Sequence, residues 1–167
     1  AGAVGVSKIG GERVRFSAVY GYKTPGFESN DLGFLRRADE RNINHWFQWR
    51  DNVPGRFVRS WIFNLNQWAG WNFGGDRLFG GGNVNMHWTF QNNWRTGFGL
   101  KGNAPGFRDR ASRGGPGVRS NANVSLWHYL DLDDRRQITP GYNGYYERDG
   151  QGTVRIEANP KLTWRPS

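Results

Sequence analysis

The sequence contains no cysteine, a single methionine and only four lysines among its 167 residues. Without cysteine there is no disulfide framework, no thiolate metal site and no Cys nucleophile. Aliphatic bulk is also scarce. Val, Ile, Leu and Phe together make 35 residues, about 21% of the chain and close to the ~20% below which chains are commonly disordered. No run of 18 apolar residues occurs, so no helical membrane span is expected. Nucleophile elbows, P-loops and dinucleotide glycine motifs are missing too, so neither catalysis nor a cofactor is expected. The chain opens on Ala1 with no Met, basic n-region or apolar h-region, and it reads as a mature product or an excerpt.

What is abundant is equally selective. There are 26 aromatic residues, 9 of them Trp, and 25 glycines. A formal charge of +9 is carried mainly by 19 arginines. Such a surface suits nucleic acid, anionic glycan or lipid phosphate, or reflects only the arginine bias of a GC-rich genome. A globular domain short of aliphatics and rich in glycine has difficulty filling a close-packed interior, so the aromatics need another use.

The period along the chain supplies one. From Val84 to Leu100 the even positions carry Val84, Met86, Trp88, Phe90, Trp94, Phe98 and Leu100, and the odd ones Asn85, His87, Gln91, Asn93 and Arg95. Alternation with period two puts an apolar face and a polar face on one long strand. Trp61, Phe63, Leu65, Ala69, Trp71 and Phe73 alternate likewise with Ser60, Asn64, Asn66 and Gly70, and the glycines of 74–82 suggest the turn between these two arms. Further alternating runs at 14–22, 43–49, 118–132, 141–147 and 154–164 bring the expected total to seven strands, none separated by a helical pattern. The predicted fold is an all-β antiparallel meander.

Arms of about 17 residues exceed the ~10 that globular strands rarely pass and match membrane-spanning strands. The chain is therefore expected to form a partial β-barrel domain over 1–167, with long loops near 23–41 and 101–117. Trp61, Phe63, Trp71, Trp88, Phe90, Trp94 and Trp164 would face lipid or form aromatic girdles, as would Trp127. Arg13, Arg15, Asn64, Asn66, His87, Gln91, Arg95, Arg119 and Arg155 would face a polar lumen. Arg59 shares parity with Trp61, so it must sit at a rim or the register slips there. Because closed single-chain bacterial barrels have an even number of strands, eight or more, further strands are expected from missing sequence or other chains. By estimated loop length, long connections fall at both ends of the sheet unless a strand is misread, for instance within Lys101–Gly117. The partners implied are outer-membrane lipid, those remaining strands and a glycan, with the bacterial outer membrane as location and periplasm or exterior as alternatives. A soluble carbohydrate- or ligand-binding β module with exposed aromatics is the rival reading. A single-strand nucleic-acid binder is a third, disfavoured because the aromatics and arginines lie mostly on opposite faces.

The connection Pro25–Arg41 carries Glu28, Asn30, Asp31, Arg36, Arg37, Asp39 and Arg41 around Phe27, Phe34 and Leu35. A loop of this length and composition can fold into a lumen as a plug or hold a ligand. Its carboxylates would grip a cation or sugar hydroxyls, or pair with lumen arginines. Asp131, Asp133 and Asp134 lack the spacing of a calcium loop, and His45, His87 and His128 lack metal-ligand spacing, so no metal site is assigned.

Residues 22–39, YKTPGFESNDLGFLRRAD, resemble the signature of a bacterial family of uncharacterised function, and the closing NPKLTWRPS is also similar to it. That resemblance implies a β-barrel-like domain preceded by an N-terminal carbohydrate-binding domain of the family 9 type, with further strands outside this chain.

Overall fold

A computed structural model describes residues 1–28, 37–112 and 115–166. Its eleven strands are β1 (Gly2–Lys8), β2 (Val14–Lys23), β3 (Glu40–Asp51), β4 (Val58–Trp71), β5 (Arg77–Phe90), β6 (Arg95–Asn103), β7 (Gly106–Arg108), β8 (Val118–Ser120), β9 (Asn123–Asp131), β10 (Ile138–Asp149) and β11 (Val154–Trp164). Nine of them form one sheet in the order β1-β2-β3-β4-β5-β6-β9-β10-β11, while β7 and β8 pair separately. Every pairing is antiparallel, and no helix occurs among the described residues.

Register carries the two-faced pattern across the whole sheet. On one face Phe16, Phe47, Leu65, Val84, Leu100, Leu126, Tyr146 and Ile156 lie side by side on eight successive strands. The adjoining row on the other face reads Arg15, Gln48, Asn64, Asn85, Gly99, Trp127, Tyr145 and Glu157. Because residues opposite one another in a ladder share a face, a one-residue slip anywhere would mix the two rows. Among the described residues no second layer covers the apolar row. Ala38 and Leu78 are the only buried hydrophobic residues among those described, and both belong to the loop end of the sheet. Ile156, Leu162 and Trp164 are about 70% exposed, at 73, 69 and 70%.

Several details differ from the sequence-based expectation. The run Val84–Leu100 is two strands: β5 ends at Phe90 and β6 begins at Arg95, so Gln91 and Trp94 occupy a turn instead of a strand wall. The Gln91 amide donates to the Gly55 carbonyl there, at 2.7 Å. Asn93, with φ of 65°, supplies the left-handed residue that lets four residues reverse the chain. β1 was not anticipated, and the turn at 72–76 is shorter than the glycine run suggested, since Gly80, Gly81 and Gly82 belong to β5. Arg13 sits in the β1–β2 turn, and Arg119 lies in the small β7–β8 hairpin away from the main sheet. Trp127 faces the polar side. A register shift between Val58 and Ser60 takes Arg59 out of the alternation. Its guanidinium reaches the β5–β6 turn, donating to the Gln91 carbonyl at 3.2 Å and to Asn93 Oδ1 at 2.6 Å.

The additional strands also sort the connections. Residues 9–13, 52–57, 91–94 and 132–137 make four short turns at one end of the sheet. Residues 24–39 and 104–122, the two long connections, both emerge at the opposite end beside the short turns 72–76 and 150–153. Long loops at both ends, as the seven-strand reading had it, do not occur. The sheet is open: β1 and β11 each have one neighbour and do not meet.

Candidate functional site

The polar face holds the chemistry. Asn64 accepts from Trp46 Nε1 (3.2 Å) and Gln48 Nε2 (3.0 Å) through Oδ1, and its own Nδ2 donates to Asn85 Oδ1 at 2.8 Å. Asn66 and Asn85 both donate to Asn83 Oδ1, at 2.8 and 2.9 Å. Since Asn85 Oδ1 can only accept, the 3.1 Å contact from His87 is an Nε2–H donation, which leaves Nδ1 to face the Tyr129 hydroxyl at 3.0 Å. The network thus runs from β3 to β9, and sequence-predicted Asn64, Asn66 and His87 all lie in it.

Beyond His87 the face becomes aromatic. Gly97 and Gly99 on β6 leave the backbone bare, and rings from both sides lie over it. A Cβ at Gly99 would come within 2.4 Å of the Trp127 indole, and one at Gly97 within 2.7 Å of the Tyr129 ring and 2.8 Å of His87 Nδ1. Trp127 and Tyr129 are nearly parallel, 16° apart with centroids at 6.1 Å, and His87 stands 5.5 and 5.8 Å from them. Next along the rows come Tyr145 and Asn143 on β10, then Glu157 and Asn159 on β11. Arg155 donates from Nε to Glu157 Oε1 at 2.6 Å and lies over the Tyr145 ring, 5.6 Å from its centre. An open hollow of about 310 Å³ lies among these side chains. The separation of aromatics from arginines onto opposite faces therefore does not extend to β9–β11.

At the loop end the two long connections are tied together. Arg37 donates from Nη1 and Nη2 to the two carboxylate oxygens of Asp109, at 2.6 and 2.5 Å. Asp39, with φ of 55°, accepts the Phe73 amide at 2.8 Å, and Arg110 Nη2 reaches the Ala38 carbonyl at 3.3 Å. Hydrogen bonding from Arg37 holds the Asp109 carboxyl below the ordinary carboxylate range and raises the guanidinium in turn. Glu28 is exposed at the edge of the described loop. Asn30, Asp31 and Arg36 lie outside the described residues.

At the short-turn end Asp133 accepts from the Arg135 backbone amide and guanidinium, and this pairing pulls its pKa far below the ordinary value. Arg95 approaches Asp131 at 3.8 Å and Asp134 at 3.6 Å, while Arg13 pairs with Asp51 at 3.7 Å. His45 and His128 share the apolar face and His87 the polar one. No group of three or more potential metal ligands comes together among the described residues.

On the opposite face Trp61, Phe63, Trp71 and Trp88 lie on β4 and β5, with Phe90 at the end of β5 and Trp164 at the end of β11. Trp49 packs edge-on against Trp61 at 5.1 Å.

A family described as a domain of unknown function, DUF5916, has a sequence profile that matches residues 1–165. The chain belongs to the DUF5916 family. Comparison with curated proteins and with solved structures gave no match. In this DUF5916 chain the sequence pattern places Trp127 with the girdle aromatics and does not single out Tyr129 or Tyr145, because an aromatic side chain counts as apolar whichever way it points. One signal was available: Trp127 and Tyr129 fall out of phase with Val124, Leu126 and Leu130.

Proposed function

We propose that this domain is a stretch of wall in an outer-membrane-type β-barrel of the bacterial outer membrane, acting as a non-catalytic scaffold or pore. One observation carries the reading: among the described residues nothing forms a second layer over the apolar face of a sheet nine strands wide. Soluble monomers rarely expose contiguous apolar patches beyond a few hundred Å². Lipid solvates such a face without a second layer, and the asparagine-lined face opposite suits a water-filled lumen.

The dimensions agree. Apart from β1, with 7 residues, the strands of the main sheet have 9–14 residues and rise about 23–35 Å along an axis from which they tilt by about 40°, at ~3.3 Å per residue; the shortest come close to the ~25 Å apolar band of such barrels and the longest exceed it. Short turns at one end and the two long loops at the other repeat the asymmetry of outer-membrane barrels. Nine is odd, so β1 and β11 run in the same direction, and all-antiparallel closure takes an odd number of further strands. In this reading they come from other sequence or other chains, and a carbohydrate-binding domain of the family 9 type accompanies the barrel in glycan capture or uptake.

The test is gel mobility of the detergent-extracted natural protein before and after boiling. A folded barrel shifts on boiling and needs detergent throughout. Solubility in plain buffer with no shift overturns the proposal in favour of a soluble β module.

A further inference from the structure

We infer that the ring cluster on the polar face is a binding platform for a neutral sugar chain. Stacking on Trp127 and Tyr129 would hold the sugars, with Arg155, Glu157, Asn143 and Asn159 meeting their hydroxyls. The inference rests on the proposed function only in taking the polar face to border water.

Two adjacent rows of the sheet build the platform. One runs Gly99, Trp127, Tyr145, Glu157 and the other Gly97, Tyr129, Asn143, Asn159. The bare backbone of β6 lets the two rings lie down over it, and the His87–Tyr129 hydrogen bond fixes the outer ring in place. Trp127 and Tyr129 remain half-exposed, whereas Arg155, Asn143 and Asn159 are exposed. A pyranose presents C–H groups on its faces and hydroxyls at its rim. Flat half-exposed rings take the faces, and a mixed set of donors and acceptors takes the rim.

The obvious competitor is a polyanion. A single-stranded nucleic acid also stacks on rings but needs cations for its phosphates. Here the guanidinium of Arg155 is engaged by Glu157, and Glu147 stands beside it accepting from the Tyr145 hydroxyl at 2.6 Å. The guanidinium nearest the rings is therefore already engaged, while Lys101, Arg95 and Lys161 stand on the flanking rows of the same face, the last two beside Asp131, so hexathymidylate is the competitor that the titration has to separate.

The natural full-length protein, labelled with 5-fluorotryptophan and held in detergent, is titrated with maltohexaose, cellohexaose and xylohexaose, with hexathymidylate as the polyanion. The Trp127 fluorine resonance, identified by its loss in Trp127→Phe, is expected to shift saturably with at least one of the three sugars. Arg155→Ala and Asn159→Ala, which remove exposed side chains, are expected to weaken that binding at least tenfold. Trp49→Ala on the opposite face is expected to leave it unchanged. A Trp127 resonance that none of the sugars moves, that moves with unaltered affinity in both exposed-residue variants, or that follows hexathymidylate instead overturns the inference. Loss of the heat-dependent gel shift in the unmodified protein would overturn the membrane reading alone, since the titration is read independently of it.

Discussion

Arg37 and Asp109 stand 72 residues apart in the chain and form a two-pronged ion pair, with side chains only 17 and 21% exposed. The pair joins the two long connections where they leave the sheet. Removing either partner leaves a half-buried charge facing an empty site, so Arg37→Ala or Asp109→Ala is expected to raise the opening equilibrium of residues 104–122 by about 1–3 kcal/mol. Limited proteolysis within that connection reads the change, with the rest of the sheet unaffected.

The same pair gives a pH dependence of definite sign. Hydrogen bonding from Arg37 lowers the Asp109 pKa in the folded state below its unfolded value. Its stabilisation is therefore complete above the ordinary carboxylate range, near pH 4, and is lost as the pH falls through the depressed folded value. Cleavage of the 104–122 connection by an acid-active protease should rise below about pH 4. In Asp109→Asn it should already be high at neutral pH and lack this acid step.

Gly99 is occupied from above by the Trp127 indole, which a Cβ would meet at 2.4 Å. Gly99→Ala must displace that ring or bend β6, at about 1–3 kcal/mol. Gly102 on the same strand has nothing within 4 Å of its would-be Cβ. Gly102→Ala should then be neutral or slightly stabilising through loss of unfolded-chain freedom. Urea unfolding in detergent micelles compares the two, and equal effects would contradict the ring-over-glycine packing.

Phe98 and Leu126 lie mid-strand on the apolar face, with Trp164 at a strand end. Phe98→Arg or Leu126→Arg is expected to cost about 2–4 kcal/mol in a bilayer, and Trp164→Arg no more than about 1 for its charge. Unfolding titrations in phospholipid vesicles measure this depth dependence. A flat profile would place the face against protein or water.

The carboxylates at 131, 133 and 134 already have cations: Arg95 and Lys161 for Asp131, Arg135 for Asp133, and Arg95 for Asp134. Millimolar calcium or its removal with chelator should leave thermal unfolding unchanged.

The two-faced alternation was legible because burial on one side only leaves a period of two in the sequence. Strand number was less so. Four residues, an even number, separate Phe90 from Arg95, so Trp88 and Phe98 keep the same parity through the turn and a hairpin reads as one strand. Its reversal rests on Asn93 in place of glycine, which weakens the punctuation. β1 offers only Val4 and Val6 as apolar markers, too few for a pattern. The ion pair and the ring platform are tertiary: Arg37 meets Asp109 where the connection after β6 lies against β5, and Trp127 meets Gly99 because β6 and β9 pair across the 104–122 insertion.

Apart from that insertion, each strand of the main sheet hydrogen-bonds only to its neighbours in the chain. Assembly can accordingly proceed as a zipper, each newly delivered strand docking on the edge left by the one before. The loop to be closed at most steps is under ten residues, so its entropic cost stays low. The β6–β9 step, delayed by nineteen intervening residues, is the natural pause point. Slowing or speeding that single junction would set the pace at which β9, β10 and β11 join the sheet.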